Sequence, residues 1–180
     1  QNNASEQKPM FSDVKKSFWA YDEICKMCGD GILNGVGDNL FEPERNVTRA
    51  EFLCGLMKTL NINTAEYNGD FYDVPSDFWA APYISAAVKN NIVNGYNGYF
   101  NPDGIITREE AAAIIVRACG FSELSDITFA DDDDISDWAK DSVRKVSKVS
   151  IITGRENNMF APKECATRAE MAVILYRIAK

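Results

Sequence analysis

Thr48-Arg49-Ala50-Glu51, Thr107-Arg108-Glu109-Glu110 and Thr167-Arg168-Ala169-Glu170 are three copies of one Thr-Arg-x-Glu tetrad, and each stands at the head of an apolar run. The tetrads lie 59 and 60 residues apart in a chain of 180 residues. Each is accompanied by a tryptophan sixteen residues before a glycine and by a phenylalanine two residues before a proline: Trp19 and Gly35, Trp79 and Gly95, Trp138 and Gly154; Phe41 and Pro43, Phe100 and Pro102, Phe160 and Pro162. Landmarks that keep their spacing in this way indicate one supersecondary unit copied three times.

The tetrad predicts the start of a helix. In a capping box, the Thr hydroxyl accepts a hydrogen bond from the amide three residues on, and the Glu carboxylate accepts one from the amide of the Thr. We assign this structural role in all three copies to Thr48 and Glu51, Thr107 and Glu110, and Thr167 and Glu170. Apolar residues follow each tetrad at helical spacing, so each copy contains a half-buried helix after it.

A first helix precedes the tetrad in each copy. In the second copy its apolar face comprises Trp79, Ala80, Tyr83, Ile84, Ala87, Val88 and Ile92. We predict that Ser17, Asp77 and Ser136, each two residues before a tryptophan, cap these helices, with Pro82 within the first turn. We also predict that Gly35, Gly95 and Gly154 end this segment, since glycine readily takes the left-handed conformation of a helix end.

Two half-buried helices are too few for one copy to bury its own apolar face. The sequence therefore predicts an all-α fold in which three helix-loop-helix repeats pack on one another. The expected division is a polar linker or mature N-terminal tail over residues 1–10, followed by repeats at 11–68, 69–126 and 127–180.

The arginine of the tetrad is the residue that capping does not explain. It occupies the first helical position, where the helix dipole disfavours a cation by roughly 0.3 to 1 kcal/mol. A guanidinium beside free amides at a helix start can receive a carboxylate or a phosphate, so Arg49, Arg108 and Arg168 are candidate anion receptors. In that case their replacement should weaken binding and leave stability nearly unchanged. The alternative is a salt bridge from each arginine to an acidic residue of the neighbouring copy.

The tryptophans and nearby aspartates also allow two roles. Trp19, Trp79 and Trp138 are either core anchors or exposed faces that stack on sugars. Asp13 and Asp73 lie six residues before a tryptophan and could accept from sugar hydroxyls or, alternatively, hold a turn. In the third copy, counting back from the tryptophan selects Asp132, our candidate, whereas counting from Phe129 selects Asp131.

Composition excludes several classes of function. A net charge of −8 argues against nucleic acid and anionic membranes as partners, so any anion must be bound locally. The five cysteines cannot all pair within the chain; Cys25, Cys54 and Cys119 lie in apolar helical runs, where a thiol acts as a small hydrophobe. Cys25 and Cys28 form a C-x-x-C, a potential redox pair or half of a zinc site, but the chain has no second C-x-x-C and no histidine. We expect neither metal nor cofactor.

An enzyme is not expected, because the chain has no histidine, no serine nucleophile motif and no close carboxylate pair outside the aspartate run. Asp103, Gly104 and Glu110 mimic the second half of an EF-hand loop, but its first ligand position would be Tyr99, which cannot ligate calcium. No stretch approaches the roughly 18 apolar residues of a membrane span.

Together these motifs resemble the repeat of the S-layer homology family. In the first copy the resemblance rests on Phe11-Ser12-Asp13-Val14, Trp19-Ala20, Gly31-Ile32-Leu33-Asn34-Gly35, Phe41-Glu42-Pro43 and Val47-Thr48-Arg49-Ala50-Glu51-Phe52. It covers residues 11–180, and several of the motifs recur in order and spacing in all three copies. Departures are Glu109 in place of alanine beside Arg108, and Ala166 in place of isoleucine before Thr167.

The resemblance implies an all-α fold with pseudo-threefold symmetry around a central helical bundle and ligand grooves between repeats. It implies non-covalent anchoring at the bacterial cell surface through a secondary cell wall polysaccharide, often bound by a pyruvate ketal whose carboxylate suits the three arginines. By motif match, the aspartates and tryptophans line the grooves, and Gly35, Gly95 and Gly154 let the sugar approach backbone. We expect a monomeric module fused to a cargo region; the alternative is a protein-lattice contact without glycan specificity.

Overall fold

The computed structural model describes residues 10–180, and over that range the fold is all-α, as predicted. Its α-helices are α1 (Tyr21–Gly29), α2 (Arg49–Thr59), α3 (Ala81–Lys89), α4 (Arg108–Cys119), α5 (Lys140–Lys148) and α6 (Arg168–Ala179), with short 3-10 helices at Asp132–Asp134 and Glu156–Asn158. β-pairing in this range is limited to isolated bridges. Residues 1–9 of the predicted linker lie outside the described range. None of the described helices has the length and apolar character needed to span a membrane.

The helices α1, α3 and α5 begin two residues after each tryptophan, at Tyr21, Ala81 and Lys140. The residues before them, Ala20, Ala80 and Ala139, provide no side-chain cap, so the prediction that Ser17, Asp77 and Ser136 cap these helices is wrong. A separate turn precedes each helix and contains the tryptophan, as when the Tyr21 amide donates to the Phe18 carbonyl at 3.0 Å. Pro82 does lie in the first turn of α3.

The prediction that Gly35, Gly95 and Gly154 end these helices is also wrong. The helices end about six residues earlier, and Asn91 and Ser150, each with φ of 57°, supply left-handed residues just after α3 and α5. The three glycines lie in the following loop. A Cβ on Gly35 would approach the Phe11 ring to 2.6 Å and the Leu40 carbonyl to 2.7 Å, so close packing within the repeat accounts for glycine here.

Each first helix packs on the second helix of another copy: α3 on α2, α5 on α4, and α1 on α6. The first helix of one copy thus covers the second helix of the copy before it, and the first copy covers the third. This exchange answers the burial problem that a lone helix pair could not solve. The predicted repeat boundaries stay a prediction, but no repeat buries its helices by itself.

A ring of backbone hydrogen bonds joins the copies at the residue that precedes each capping threonine. The Val47 amide donates to the Ala166 carbonyl at 2.9 Å, the Ile106 amide to Val47 at 3.0 Å, and the Ala166 amide to Ile106 at 3.1 Å. All three side chains are buried. The connection between copies therefore closes on itself, although the pseudo-threefold symmetry of the whole fold stays a prediction.

Candidate functional site

Two of the clefts between the copies contain a tetrad arginine. The larger, the Arg49 cleft, has a volume of about 630 Å³ and is lined by Arg49, Gly95, Glu110, Arg117 and Trp138, among others. The smaller, the Arg168 cleft, has about 220 Å³ and is lined by Arg168, Gly35, Glu51, Lys58 and Trp79, among others. In both, the arginine, the glycine and the tryptophan come from three different copies, an arrangement that adjacent repeats alone cannot produce.

The matching residues of the remaining set follow from register along the chain. They are Arg108, Gly154, Glu170, Arg177 and Trp19, and we call them the Arg108 set. The Arg108 set shares its sequence motif with the two clefts. Structural differences between this set and the clefts therefore do not come from the motif.

The tryptophans are exposed by 57% to 59%. They are therefore not core anchors. In the first copy the Trp19 ring lies beside the Phe18 ring, with ring centroids 5.8 Å apart. In the second copy the Trp79 ring lies beside the Phe78 ring, with ring centroids 5.6 Å apart. The remaining ring surface is open to a ligand, and an aromatic face of this kind is suited to stacking.

The three arginines are held in the same way at their inner end. The Nε of Arg49 donates to the Phe100 carbonyl at 3.1 Å, and its Cζ lies 5.0 Å from the Phe100 ring centroid. Arg108 makes these contacts with Phe160, at 2.8 and 5.1 Å, and Arg168 makes them with Phe41, at 2.7 and 4.4 Å. The Phe-x-Pro loop of one copy thus clamps the guanidinium of another by a hydrogen bond and a cation–π contact.

The outer ends of the arginines differ. One terminal nitrogen of Arg108 donates to the Thr153 carbonyl at 3.0 Å, and that of Arg168 to the Asn34 carbonyl at 2.7 Å. The matching carbonyl for Arg49 is that of Asn94, but within residues 10–180 the Nη2 of Arg49 has no hydrogen-bond partner. Arg49 is also the most accessible of the three, with 16% of its side chain exposed against 6% for Arg108 and 8% for Arg168.

A backbone difference accompanies this open end. Gly95 has φ of +63°, whereas Gly35 and Gly154 do not have positive φ. The loop of the second copy thus takes a different conformation beside Arg49, and the Nη2 of Arg49 keeps a donor for a ligand.

Each arginine also faces the capping glutamate of the next copy. Arg49 lies 3.6 Å from Glu110, Arg108 3.6 Å from Glu170, and Arg168 3.9 Å from Glu51. The salt-bridge alternative from the sequence is thus present as a set of long ion pairs. Burial lowers the pKa of Arg108 to about 10, and it lowers the pKa of Arg49 and Arg168 as well.

The expectation of free amides beside the guanidinium is wrong. All three second helices have capping boxes, which occupy the third amide of each helix. The first two amides of α2 donate to the next copy, from Arg49 to the Gly104 carbonyl at 2.9 Å and from Ala50 to the Pro102 carbonyl at 3.0 Å. The starts of α4 and α6 are bonded in the same way. Any anion receptor is therefore made of side chains.

The aspartates hold the Phe-x-Pro turns. The carboxylate of Asp13 accepts from the amides of Phe41 and Glu42, at 2.9 and 2.7 Å, and that of Asp73 from Phe100 and Asn101, also at 2.9 and 2.7 Å. The turn residue Glu42 has φ of 57°, a conformation that such bonds help to maintain. The turn role from the sequence is thus what these residues perform.

In the third copy this role belongs to Asp131, and the choice of Asp132 is wrong. Asp131 accepts from the amides of Phe160 and Ala161, both at 2.7 Å, and it is buried. Asp132 instead accepts from the Phe129 amide at 3.2 Å and lies 3.5 Å from Arg144. The extra aspartates form a 3-10 helix, which shifts the count from the tryptophan by one residue.

The Arg108 set is crowded by ion pairs of its own. Arg155 bridges two carboxylates, contacting Glu164 and lying 2.5 Å from Glu170. Glu109 is buried and accepts from Lys163 at 2.5 Å and from both the amide and the hydroxyl of Ser136 at 3.0 Å. The negative charge of Glu109, which lies beside Arg108 in the sequence, is thus neutralised within the protein. Ser136 donates to Glu109 and does not cap a helix.

Sequence reasoning missed a second cation in each set. Lys58, Arg117 and Arg177 each stand nine residues after the tetrad arginine of their own helix, and the first two line the clefts. Lys58 and Arg117 line these clefts together with the tetrad arginine of a different copy. Their common register was visible in the sequence, but their pairing depends on how the copies exchange helices.

The cysteines are unpaired in the described part of the chain. Burial raises the pKa of Cys28 to about 11 and that of Cys54 to about 12, the opposite of what a reactive thiol requires. Within residues 10–180, no group of three or more acidic, cysteine or histidine side chains is placed to hold a metal.

The S-layer homology domain model matches residues 11–53, 70–112 and 128–172 of this chain. The chain is 41% identical over 179 residues to an amylopullulanase of Thermoanaerobacterium thermosulfurigenes, a match that covers 96% of the chain and 10% of that protein. It is 42% identical over 172 residues to exoglucanase XynX of Acetivibrio thermocellus, covering 92% of the chain and 16% of that protein. It is 26% identical over 173 residues to an S-layer protein of Bacillus thuringiensis subsp. finitimus, covering 94% and 21%.

Proposed function

This chain belongs to the S-layer homology domain family and is a cell-surface module, and we propose that it holds a larger protein at the cell wall by binding a secondary cell wall polysaccharide. It spans between 10% and 21% of the length of the three relatives named above, two of which are named as enzymes. The module itself acts as a non-catalytic anchor, and the cargo region lies in the remainder of such a protein. The free module is a monomer in this proposal.

The Arg49 cleft is the principal site, and its ligand is the carboxylate of a pyruvate ketal on an amino sugar. The observation that carries this choice is the outward-facing nitrogen of Arg49, which lacks a partner within residues 10–180. Arg117 adds a second cation to the cleft and Glu110 one negative charge, which leaves one net positive charge. A protein of net charge −8 can therefore bind an acidic sugar at this position.

The other site residues predicted from the sequence support binding in this proposal. Trp138 offers the exposed face on which the sugar ring stacks, and Gly95 lets the sugar approach the loop backbone. The Arg168 cleft, with Lys58 and Trp79, is a second and smaller site of the same kind. Asp13, Asp73 and Asp131 act indirectly, because they hold the turns that clamp the arginines.

The test is calorimetric titration with one pyruvylated amino sugar and its ketal-free parent. Trp138→Ala is compared with Trp19→Ala, a matched control because both indoles follow the same motif and are equally exposed. We expect binding of the pyruvylated sugar alone, and loss of affinity in Trp138→Ala but not in Trp19→Ala. If the protein binds both sugars equally well, the proposed role of the carboxylate is wrong. If it binds neither sugar and the module self-assembles, the protein-lattice alternative is favoured.

A further inference from the structure

Three tyrosines form an exposed patch at the mouth of the Arg49 cleft. Tyr72 is 83% exposed, Tyr96 81% and Tyr99 54%. Tyr96 and Tyr99 line the cleft, and Tyr72 packs edge-on against Tyr99 with ring centroids 5.7 Å apart. We call these three residues the tyrosine patch.

A tight turn holds the tyrosine patch in place. The amides of Tyr96 and Tyr99 each donate to the other residue's carbonyl, at 2.8 and 2.9 Å, and Asn97 and Gly98 between them have φ of 49° and 81°. Two such residues make the type of two-residue turn that matches the twist of a hairpin. The Tyr72 amide also donates to the Gly98 carbonyl at 2.9 Å, and its ring covers Gly98 where a Cβ would lie. The rings are therefore presented from rigid backbone.

The fold does not require aromatic residues at these positions. The residues that match Tyr72 in the first and third copies are Ser12 and Ala130; those that match Tyr96 are Val36 and Arg155; those that match Tyr99 are Leu40 and Met159. All three copies nevertheless build the same Phe-x-Pro loop and the same arginine clamp. The tyrosines are an addition to one cleft, and exposed rings beside a binding cleft provide contact area with little loss of conformational entropy.

We infer that the tyrosine patch is a second sugar subsite, which binds the neutral pyranose ring next to the acidic sugar of the same glycan. This inference rests on the proposed function of the Arg49 cleft. The patch is uncharged, so it suits a neutral ring, whereas the guanidinium of Arg49 suits the carboxylate. Tyrosine offers a ring face for the C–H surface of a pyranose and a hydroxyl for its polar rim. Tyr96 and Tyr99 make the contact, and Tyr72 supports Tyr99.

The experiment compares a pyruvylated monosaccharide with the disaccharide that adds one neutral sugar. We expect the parent protein to bind the disaccharide about tenfold more tightly, the scale of one or two aromatic contacts. In the double variant Tyr96→Ala/Tyr99→Ala the ratio of the two affinities should fall to about one. Tyr96→Phe/Tyr99→Phe should keep most of the preference, because the ring faces remain. Met159→Ala, at the position that matches Tyr99 in the third copy, should leave the ratio unchanged.

The outcomes separate the two proposals. If the parent binds both sugars with equal affinity, or if the alanine variant keeps the preference, the second subsite is wrong and the carboxylate site stands. If the parent binds neither sugar, the proposed function fails and the subsite with it. Saturation-transfer NMR on the parent protein gives a check that needs no variant. Transfer of saturation from tyrosine protons to the neutral sugar ring supports the subsite. If no such transfer is seen when the protein is fully occupied by the disaccharide, the subsite is overturned.

Discussion

The Arg49 cleft and the Arg108 set begin from the same tetrad and end as different environments. In both, a capping box starts the helix and a phenylalanine carbonyl holds the arginine Nε. At Arg49 the outer end of the guanidinium faces an open cleft, whereas at Arg108 it is satisfied by Thr153 and surrounded by internal ion pairs. A repeated motif therefore fixes a repeated scaffold, and the neighbouring loop decides whether a site results.

The capping glutamates show the same contrast. Glu51 and Glu170 each have a second arginine, Arg45 at 2.6 Å and Arg155 at 2.5 Å, in addition to the clamped one. Glu110 has only the long contact to Arg49 among the ion pairs of the described residues. The Arg49 cleft therefore differs from the other two positions in its ion pairs as well as in its accessibility.

The largest expected difference is in stability. Arg108→Ala should lower the free energy of unfolding by about 3 to 5 kcal/mol, because it removes a buried charge, leaves the Phe160 and Thr153 carbonyls without this donor and takes away one of the two arginines that pair with Glu170. Arg49→Ala, which loses one carbonyl bond, should cost about 1.5 to 3 kcal/mol. Urea unfolding followed by circular dichroism measures both. A cost for Arg49→Ala equal to or above that for Arg108→Ala would contradict the difference in burial.

Binding should show the reverse order. Arg49→Ala should weaken affinity for the pyruvylated sugar by roughly one to two decades, the cost of a charge-assisted contact, and Arg49→Lys should restore part of it because an ammonium keeps the charge but not the planar fork. Arg108→Lys should bind as the parent does. Titration calorimetry at low temperature, with each variant folded, makes the comparison. Equal losses at the two positions would show that the Arg108 set also binds ligand.

Replacement of a capping threonine should have the same effect on stability in all three copies. Thr48→Ala, Thr107→Ala and Thr167→Ala should each lower the free energy of unfolding by about 0.5 to 2 kcal/mol, since the three caps have the same geometry. Affinity of the folded variants should be unchanged. Denaturant midpoints that stay at the parent value would mean that the caps do not stabilise these helices.

The smallest expected effect is that of Arg155→Ala. Its side chain is 36% exposed, so the loss of its two ion pairs should cost about 0.2 to 1 kcal/mol, and 1 M salt should remove most of the difference. Arg45, which pairs with the capping glutamate Glu51 in the first copy and is equally exposed, provides the matched comparison. Arg45→Ala should show a cost and a salt dependence of the same size. A cost that salt does not reduce would show that Arg155 acts by packing and not by charge.

Local features of this molecule could be predicted from the sequence because they depend on residues close in the chain. The second helices and the capping boxes are set within four residues, so the Thr-Arg-x-Glu spacing was sufficient. The ends of the first helices were misplaced because a turn before each helix and a left-handed residue after it compete with the apolar periodicity. The helix-ending role predicted for Gly35, Gly95 and Gly154 was wrong, and a ring and a carbonyl of the same repeat lie close to where a side chain would be.

The site depends on contacts that sequence spacing does not reveal. The expectation that replacing the arginines would leave stability nearly unchanged does not fit their burial, because each also clamps the loop of another copy. Which tryptophan joins which arginine follows from the exchange of helices, as with Arg49 and Trp138. The three positions also differ in the φ of Gly95 and in the ion pairs of Arg155, neither of which alters the motif.

The ring formed by Val47, Ile106 and Ala166 sets a limit on valency. An open solenoid can gain avidity by adding repeats, but a ring of hydrogen bonds that has closed offers no free edge for a fourth. Stronger attachment must then come either from a second ring on the same polypeptide or from a better cleft within the one that exists. With the number of positions fixed at three, one copy can serve the scaffold while another keeps its cleft open.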